Sequence, residues 1–189
     1  MADNGVETEV KIRLSGASRF QEGLPSYGFR LRSPRRFESN ALYDTSDQSL
    51  RQSGMILRLR QSGEKSVITW KGPAQDGPFK SRAELETEVA SFEAMQQIFA
   101  RLGYKPVFRY EKFRTEYVEA CNPDAGVLTI DETPIGDFLE LEGPGDWIDK
   151  KAQDLGFSRN AYILASYGKL YLQQCEQHGV QPTDMVFAS

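Results

Sequence analysis

Apolar and polar residues alternate along eight stretches of this chain: 6–14, 36–44, 55–61, 65–71, 81–90, 107–118, 126–132 and 137–142. Successive side chains on a strand point to opposite faces, so this period of two predicts strands. The short connections predict mostly antiparallel pairing. Gly63-Glu64, between the third and fourth stretches, fits a tight hairpin turn. Helical spacing appears at 17–27, where Pro25 lies near the end, at 92–102, at 146–155 and at 159–177. In the second of these, Phe92, Met95, Ile98, Phe99 and Leu102 share a face. Ser91 and Ser158 are candidate N-caps, and Gly103 and Gly156 are candidate stops. The stretch 179–189 has no clear period, so it is expected to be loosely held beside a single domain over 1–178.

An internal echo runs through the pattern. Glu-Thr-Glu-Val occurs at 7–10 and again at 86–89, and Glu140-Leu-Glu142 is a third Glu-x-Glu. A helical segment follows each, and then a Gly-aromatic pair: Gly28-Phe29, Gly103-Tyr104 and Gly156-Phe157. A reused strand–helix unit is the simplest reading, with a period too uneven for a solenoid.

The polar face of nearly every predicted strand is charged. Glu7, Glu9 and Lys11 lie opposite Val6, Thr8, Val10 and Ile12. Arg58 and Arg60 lie opposite Leu57 and Leu59, and Lys71 lies opposite Ile68 and Trp70. Arg82, Glu84, Glu86 and Glu88 share a face, as do Lys112, Arg114 and Glu116. Asp131, and the pair Glu140 and Glu142, complete the set. A sheet with one solvated face would also alternate. Solvated faces usually mix Thr, Ser, Lys and Gln, however, whereas these are almost purely Arg, Lys, Glu and Asp. The amphipathic helices also need apolar sheet surface to pack on. An α+β fold satisfies both demands: a closed antiparallel barrel with helices outside and charges turned inward.

Composition fits that picture and narrows the function. A hydrophobic share of 39% with 26% charged residues is that of an ordinary soluble domain. The net charge of −4 argues against a general nucleic-acid coat protein. No stretch approaches the roughly 20 apolar residues needed to span a bilayer, and no basic-then-apolar leader is visible at the N-terminus. Cys121 and Cys175 have no metal-ligand spacing, which suits a reducing cytosol. These features predict a cytoplasmic protein without nucleic-acid or membrane partners. His178, the single histidine, reads as a surface residue near a helix end. Tyr162, Tyr167 and Tyr171 read as packing residues rather than a stacking platform.

A charged lumen demands a ligand. At an effective dielectric of about 20, two like charges about 5 Å apart repel by roughly 3 kcal/mol. Glu7, Glu9, Asp131, Glu140 and Glu142 therefore call for a cation among them, and hard oxygen donors favour Mg²⁺ or Mn²⁺. Lys11, Arg58, Arg60, Lys71, Lys112 and Arg114 call for a highly charged anion, and arginine forks match phosphate oxygens. Together the two sets describe a metal–polyphosphate site.

Glu7-x-Glu9-x-Lys11 resembles the signature strand of the CYTH superfamily, the triphosphate tunnel metalloenzymes. Leu57-Arg-Leu-Arg60, Trp70-Lys-Gly-Pro73, Ser81-Arg-Ala-Glu84, Glu111-Lys-Phe-Arg114, Asp131, Phe138-Leu-Glu-Leu-Glu142 and Ser166-Tyr167 with Leu170 extend the resemblance over nearly the whole chain. It implies an eight-stranded antiparallel tunnel that uses Mg²⁺ or Mn²⁺ on a triphosphate. It implies metal ligation by Glu7, Glu9, Asp131, Glu140 and Glu142. Lys11, Arg58, Arg60, Lys71, Lys112 and Arg114 would bind phosphate, with Arg82 as a further member. Glu9, Lys11, Lys71 and Arg114 would be catalytic, with Glu9 or a neighbouring Glu as general base. Glu84, Glu86, Glu88 and Lys169 stay open in role. A homodimer is a further expectation by resemblance. Leu102-Gly-Tyr-Lys-Pro-Val107 looks most like class IV adenylyl cyclase relatives, yet no adenine-reading motif is visible. Hydrolysis of a triphosphate is therefore expected ahead of cyclisation of ATP to cyclic AMP. A non-catalytic polyphosphate-binding module is the third reading, and five carboxylates argue against it.

Overall fold

The computed structural model describes residues 5–188. Eight strands run in chain order: β1 (Val6–Leu14), β2 (Phe29–Asp44), β3 (Ile56–Ser62), β4 (Lys65–Lys71), β5 (Lys80–Val89), β6 (Lys105–Glu119), β7 (Val127–Thr133) and β8 (Gly136–Glu142). All pairings are antiparallel, and the strands close into a barrel in the order β1-β5-β4-β3-β2-β6-β7-β8. Five helices accompany them: α1 (Ala17–Gly23), α2 (Ser49–Gln52), α3 (Phe92–Arg101), α4 (Gly145–Asp154) and α5 (Tyr167–His178). The α+β barrel expected from the alternation is the fold observed. No helix among the described residues is long and apolar enough to cross a membrane.

The apolar strand faces point outward, where helices cover them. Val10 and Ile12 of β1, Leu128 and Ile130 of β7, and Leu139 and Leu141 of β8 form one cluster with Ala17 of α1 and Ile148 and Ala152 of α4. Leu139 has no exposed surface, and its truncation to Ala would cost about 2–5 kcal/mol. A second cluster joins Ala41 and Tyr43 of β2 and Leu59 of β3 to Phe99 of α3. Ser91 caps α3 by accepting from the Ala94 amide at 3.1 Å. With apolar faces buried outside, the opposite faces must line the barrel's interior.

The echoed unit is structural. β1, β5 and β8 each lead to a helix, then to a glycine at positive φ (Gly28 at 81°, Gly103 at 87°, Gly156 at 86°). Side chains with a Cβ are strained in that region. The aromatic after each glycine packs onto a helix-covered cluster.

The structure departs from the expected elements in several places. β2 begins at Phe29 rather than at 36, because register shifts around Ser33 break the alternation. α2 is unanticipated: the Asp44 carboxylate accepts from the Leu50 and Arg51 amides, each at 3.0 Å, and fixes this short turn. The long helix over 159–177 is divided. A 3-10 turn spans Arg159–Ala161, an extended segment follows, and α5 starts after its Ser166 cap. Ile163 exchanges two backbone hydrogen bonds with Lys11 of β1, which holds that segment extended. The stretch after 178 is also not loose. Met185 is 1% exposed, bonds through its backbone to Arg109 and Glu111, and Phe187 packs on the Phe113 ring.

α5 closes one end of the barrel rather than packing outside it. Leu42, Phe108, Tyr110 and Phe138 cluster there with Tyr167, Leu170, Tyr171 and Met185.

Candidate active site

The interior holds a cavity of about 630 Å³ lined by charged side chains from seven of the eight strands, all but β7. Its two sides differ. β8, β1 and β5 are consecutive in the barrel and carry most of the carboxylates. β3, β2 and β6 are consecutive on the opposite side and carry most of the guanidinium groups.

On the acidic side, strand register sets the neighbours. Glu9 faces Glu142 across the β1–β8 pair, and Lys11 faces Glu140. Glu9 faces Lys80 across the β1–β5 pair. Lys11 bridges Glu9 at 3.0 Å and Glu140 at 2.9 Å. Lys71 bridges Glu7 at 2.5 Å and Glu84 at 2.8 Å, and Lys80 pairs with Glu9. Burial pushes the Glu9 carboxyl up, but Lys11, then Lys80 and Lys71, hold it well below its usual range. Glu140 is held down in the same way, by Lys11 and Arg114 against burial. Glu142 differs. It is exposed by accessible surface, lines the cavity, and has no hydrogen bond or ion pair among the described residues. Burial, then Glu7 and Glu9, pushes its carboxyl up to about 7.

The basic side is crowded in the opposite sense. Arg58 donates to Thr69 at 2.9 Å and approaches Glu86 at 3.3 Å. Arg60 donates to Asn40 at 3.1 Å, and its nearest carboxylate is Glu38 at 3.7 Å. Burial, then repulsion from Arg58, pushes the Arg60 guanidinium below its ordinary value. Lys112 and Arg114 share Asp131, with Lys112 at 2.8 Å and Arg114 forked onto both oxygens at 2.7 and 2.6 Å. Arg114 also reaches Glu140.

The structure brings Glu7, Glu9, Lys11, Arg58, Arg60, Lys71, Lys112, Arg114, Glu140 and Glu142 around this one cavity. Asp131, expected as a metal ligand, does not line it. Both its oxygens accept hydrogen bonds, from Lys112, Arg114 and the Tyr167 hydroxyl. Arg82, expected among the phosphate-binding residues, is buried opposite Glu7 but also does not line the cavity. Its Nε and one terminal nitrogen have no partner. Glu84 and Glu86 line the cavity, whereas Glu88 pairs with Lys65 at the surface. Lys169 is exposed and lies away from the lining.

Sequence reasoning missed Lys80, Glu38 and the polar role of Tyr167. Lys80 lies one strand period before Arg82, so extending the alternation by one step finds it. Glu38 sits in a stretch read as a strand whose polar face was not traced. It is fully buried between Arg36, Arg60 and Lys112. Burial raises its carboxyl, but Lys112, Arg114, Arg60 and Arg36 win and bring it to about 2.

Among the described residues no three acidic groups already converge in ligand geometry. Lysines occupy the gaps between them. The donor set still fits a hard divalent cation: Glu142 is unpartnered beside Glu7 and Glu9, and all the donors are carboxylate oxygens.

The sequence profile of the CYTH domain matches residues 5–164. A Methanocaldococcus jannaschii protein provisionally named an adenylate cyclase is 31% identical over 137 residues, covering 72% of this chain and 76% of that protein. Two solved structures show the same fold. One is a Vibrio parahaemolyticus protein, also provisionally named an adenylate cyclase, with TM-score 0.77, 20% identity and 89% of this chain and 98% of that chain covered. The other is the Hippeastrum protein HpAC1, with TM-score 0.62, 14% identity and 94% and 97% covered. On the extent of the domain match and the identity to its archaeal relative, this chain belongs to the CYTH family.

Proposed function

We propose that this protein is a divalent-metal-dependent phosphohydrolase that cleaves a phosphoanhydride bond of a triphosphate bound in the tunnel. One observation carries the reading: each side of the cavity leaves charge unmatched. Glu142 stands beside Glu7 and Glu9 without a cation of its own. Arg60 stands beside Arg58 with no carboxylate nearer than 3.7 Å. A metal–triphosphate complex supplies both missing charges at once.

Arg58, Arg60, Lys112 and Arg114 hold the phosphate oxygens, the arginines in two-point contacts. Lys11 and Lys71 pair with the carboxylates of the acidic side and keep them from repelling the substrate. Glu7, Glu9, Glu140 and Glu142 would hold Mg²⁺ or Mn²⁺, which when bound neutralises phosphate charge and acidifies water. A carboxylate of this side accepts the proton as the water oxygen attacks the terminal phosphorus. The bond from that phosphorus to its bridging oxygen breaks. Charge developing on the leaving pyrophosphate falls among the guanidinium groups. Tripolyphosphate would give orthophosphate and pyrophosphate.

The archaeal relative's name favours a second reading, cyclisation of ATP. The same cations would serve it, with the ribose 3′-hydroxyl as nucleophile and the α-phosphorus attacked. HpAC1, provisionally named an adenylyl cyclase, is described as having a dominant triphosphatase activity, which supports placing hydrolysis first. Incubation with tripolyphosphate and separately with ATP, in Mg²⁺ and in Mn²⁺, separates the readings. Orthophosphate from tripolyphosphate without cyclic AMP from ATP is expected. Cyclic AMP plus pyrophosphate from ATP would establish the second reading. Finding neither product would leave either a binding role or an organic triphosphate such as thiamine triphosphate as the substrate.

A further inference from the structure

Tyr167 is the first residue of α5, the helix that closes one end of the barrel, and it is 7% exposed. Its hydroxyl donates to Asp131 Oδ2 at 2.8 Å. That same oxygen accepts from Lys112 at 2.8 Å and Arg114 at 2.6 Å, while Oδ1 takes Arg114 Nε at 2.7 Å. Among the described residues Tyr167 is thus the one neutral side-chain donor on a carboxylate otherwise held by two cations. Two ammonium groups lie over its ring, Lys11 Nζ 5.1 Å and Lys112 Nζ 5.4 Å from the centroid. The Phe138 ring meets it edge-on at 5.3 Å, which fixes the plane.

Each contact restricts a different freedom. A carboxylate with two charged donors can rotate about its bond to Cβ and exchange oxygens between them. A hydroxyl held by a rigid helix terminus removes that rotation. The forked Arg114 contact requires both oxygens in one plane, so fixing Asp131 fixes the guanidinium. The ring face attracts both ammonium groups. Pre-set donors gain more per contact with an anion than donors that must first be ordered.

We infer that Tyr167 is a positioning residue for triphosphate binding: through Asp131 it fixes Lys112 and Arg114, and through its ring Lys11. The closing helix is therefore part of the phosphate site's construction. This rests on the triphosphate reading above.

Calorimetry with tripolyphosphate in Mg²⁺ tests it, using Y167F in the wild-type and R114A backgrounds. Phe keeps the ring and removes only the donor. In the wild-type background Y167F is expected to weaken binding about tenfold, the size of a hydrogen bond to a charged group. In the R114A background it is expected to weaken binding by a smaller factor than in wild type, because the part of its effect that passes through Arg114 is gone. A purely structural role would lower the melting temperature and weaken both backgrounds alike, and that result overturns the proposal. So does equal binding by Y167F and wild type. A wild-type protein that binds no tripolyphosphate overturns the functional reading and this proposal together.

Discussion

The two sides of the tunnel solve the same electrostatic problem differently. On the β8-β1-β5 side, lysines interleave with carboxylates, so Glu9 and Glu140 are each tied to cations and only Glu142 is left over. On the β3-β2-β6 side, one buried carboxylate, Glu38, stands among Arg36, Arg60 and Lys112 at 3.4 to 3.8 Å. The acidic side is nearly self-sufficient and lacks one cation. The basic side is under-compensated and lacks an extended anion. Crowded like charges repel one another, and a fold keeps them where a ligand of opposite charge offsets the repulsion.

Substitutions can break or sharpen that contrast. The largest effect is expected from E9Q or E142Q, motivated by the acidic cluster. Turnover of tripolyphosphate should fall by about 10³-fold or more if each is the metal ligand proposed above, while circular dichroism stays native. Removal of metal by EDTA should do the same and be reversed by Mg²⁺ or Mn²⁺. Full activity in either variant would sink the acidic side's assignment.

Next is R58A on the basic side. It should weaken tripolyphosphate by about 10–100-fold, the range for a buried charge-assisted contact. Mn²⁺ binding without triphosphate, followed by electron paramagnetic resonance, should shift far less. Unchanged tripolyphosphate affinity would mean that β3 does not present its arginines to ligand.

Glu38 gives a smaller effect of opposite sign. E38Q removes the internal competitor for Arg60 and Lys112, so tripolyphosphate should bind a few-fold tighter while the ligand-free protein melts lower. Acid dependence follows the same residue. Its folded carboxyl is depressed to about 2 from an ordinary 4.5. Its stabilisation is therefore complete above about pH 4.5 and is lost as pH falls towards 2. E38Q should flatten that part of the acid-unfolding curve. An unchanged curve would show that Glu38 is not the group responsible.

The smallest effect is the control. Lys65 and Glu88 pair across β4 and β5 with more than half of each side chain exposed. K65A should change stability by less than about 1 kcal/mol and leave tripolyphosphate hydrolysis unchanged.

Much of this contrast is legible in the chain. Alternation alone turns Glu7, Glu9 and Lys11 to one face, and the helices' demand for apolar surface makes that face internal. What alternation does not carry is the partner. Asp131 has the right face and charge, but cross-strand register brings Lys112 and Arg114 onto it. Tyr167 reads as apolar filling because a hydroxyl's target lies outside any local period. The divided helix at 159–166 is missed for the same reason: Ile163 pairs with Lys11, more than a hundred residues away in sequence. Met185 likewise takes its place from Arg109 and Glu111, not from its own neighbours.

The most direct measurement is the affinity for tripolyphosphate with and without Mn²⁺, by calorimetry on the wild-type protein. If the two sides are filled together, each ligand must tighten the other, and by linkage the factor is the same in both directions. The account predicts at least tenfold tighter tripolyphosphate binding in Mn²⁺, and loss of that gain in E142Q. Equal affinity with and without metal would contradict it, because the acidic side would then play no part in holding the anion.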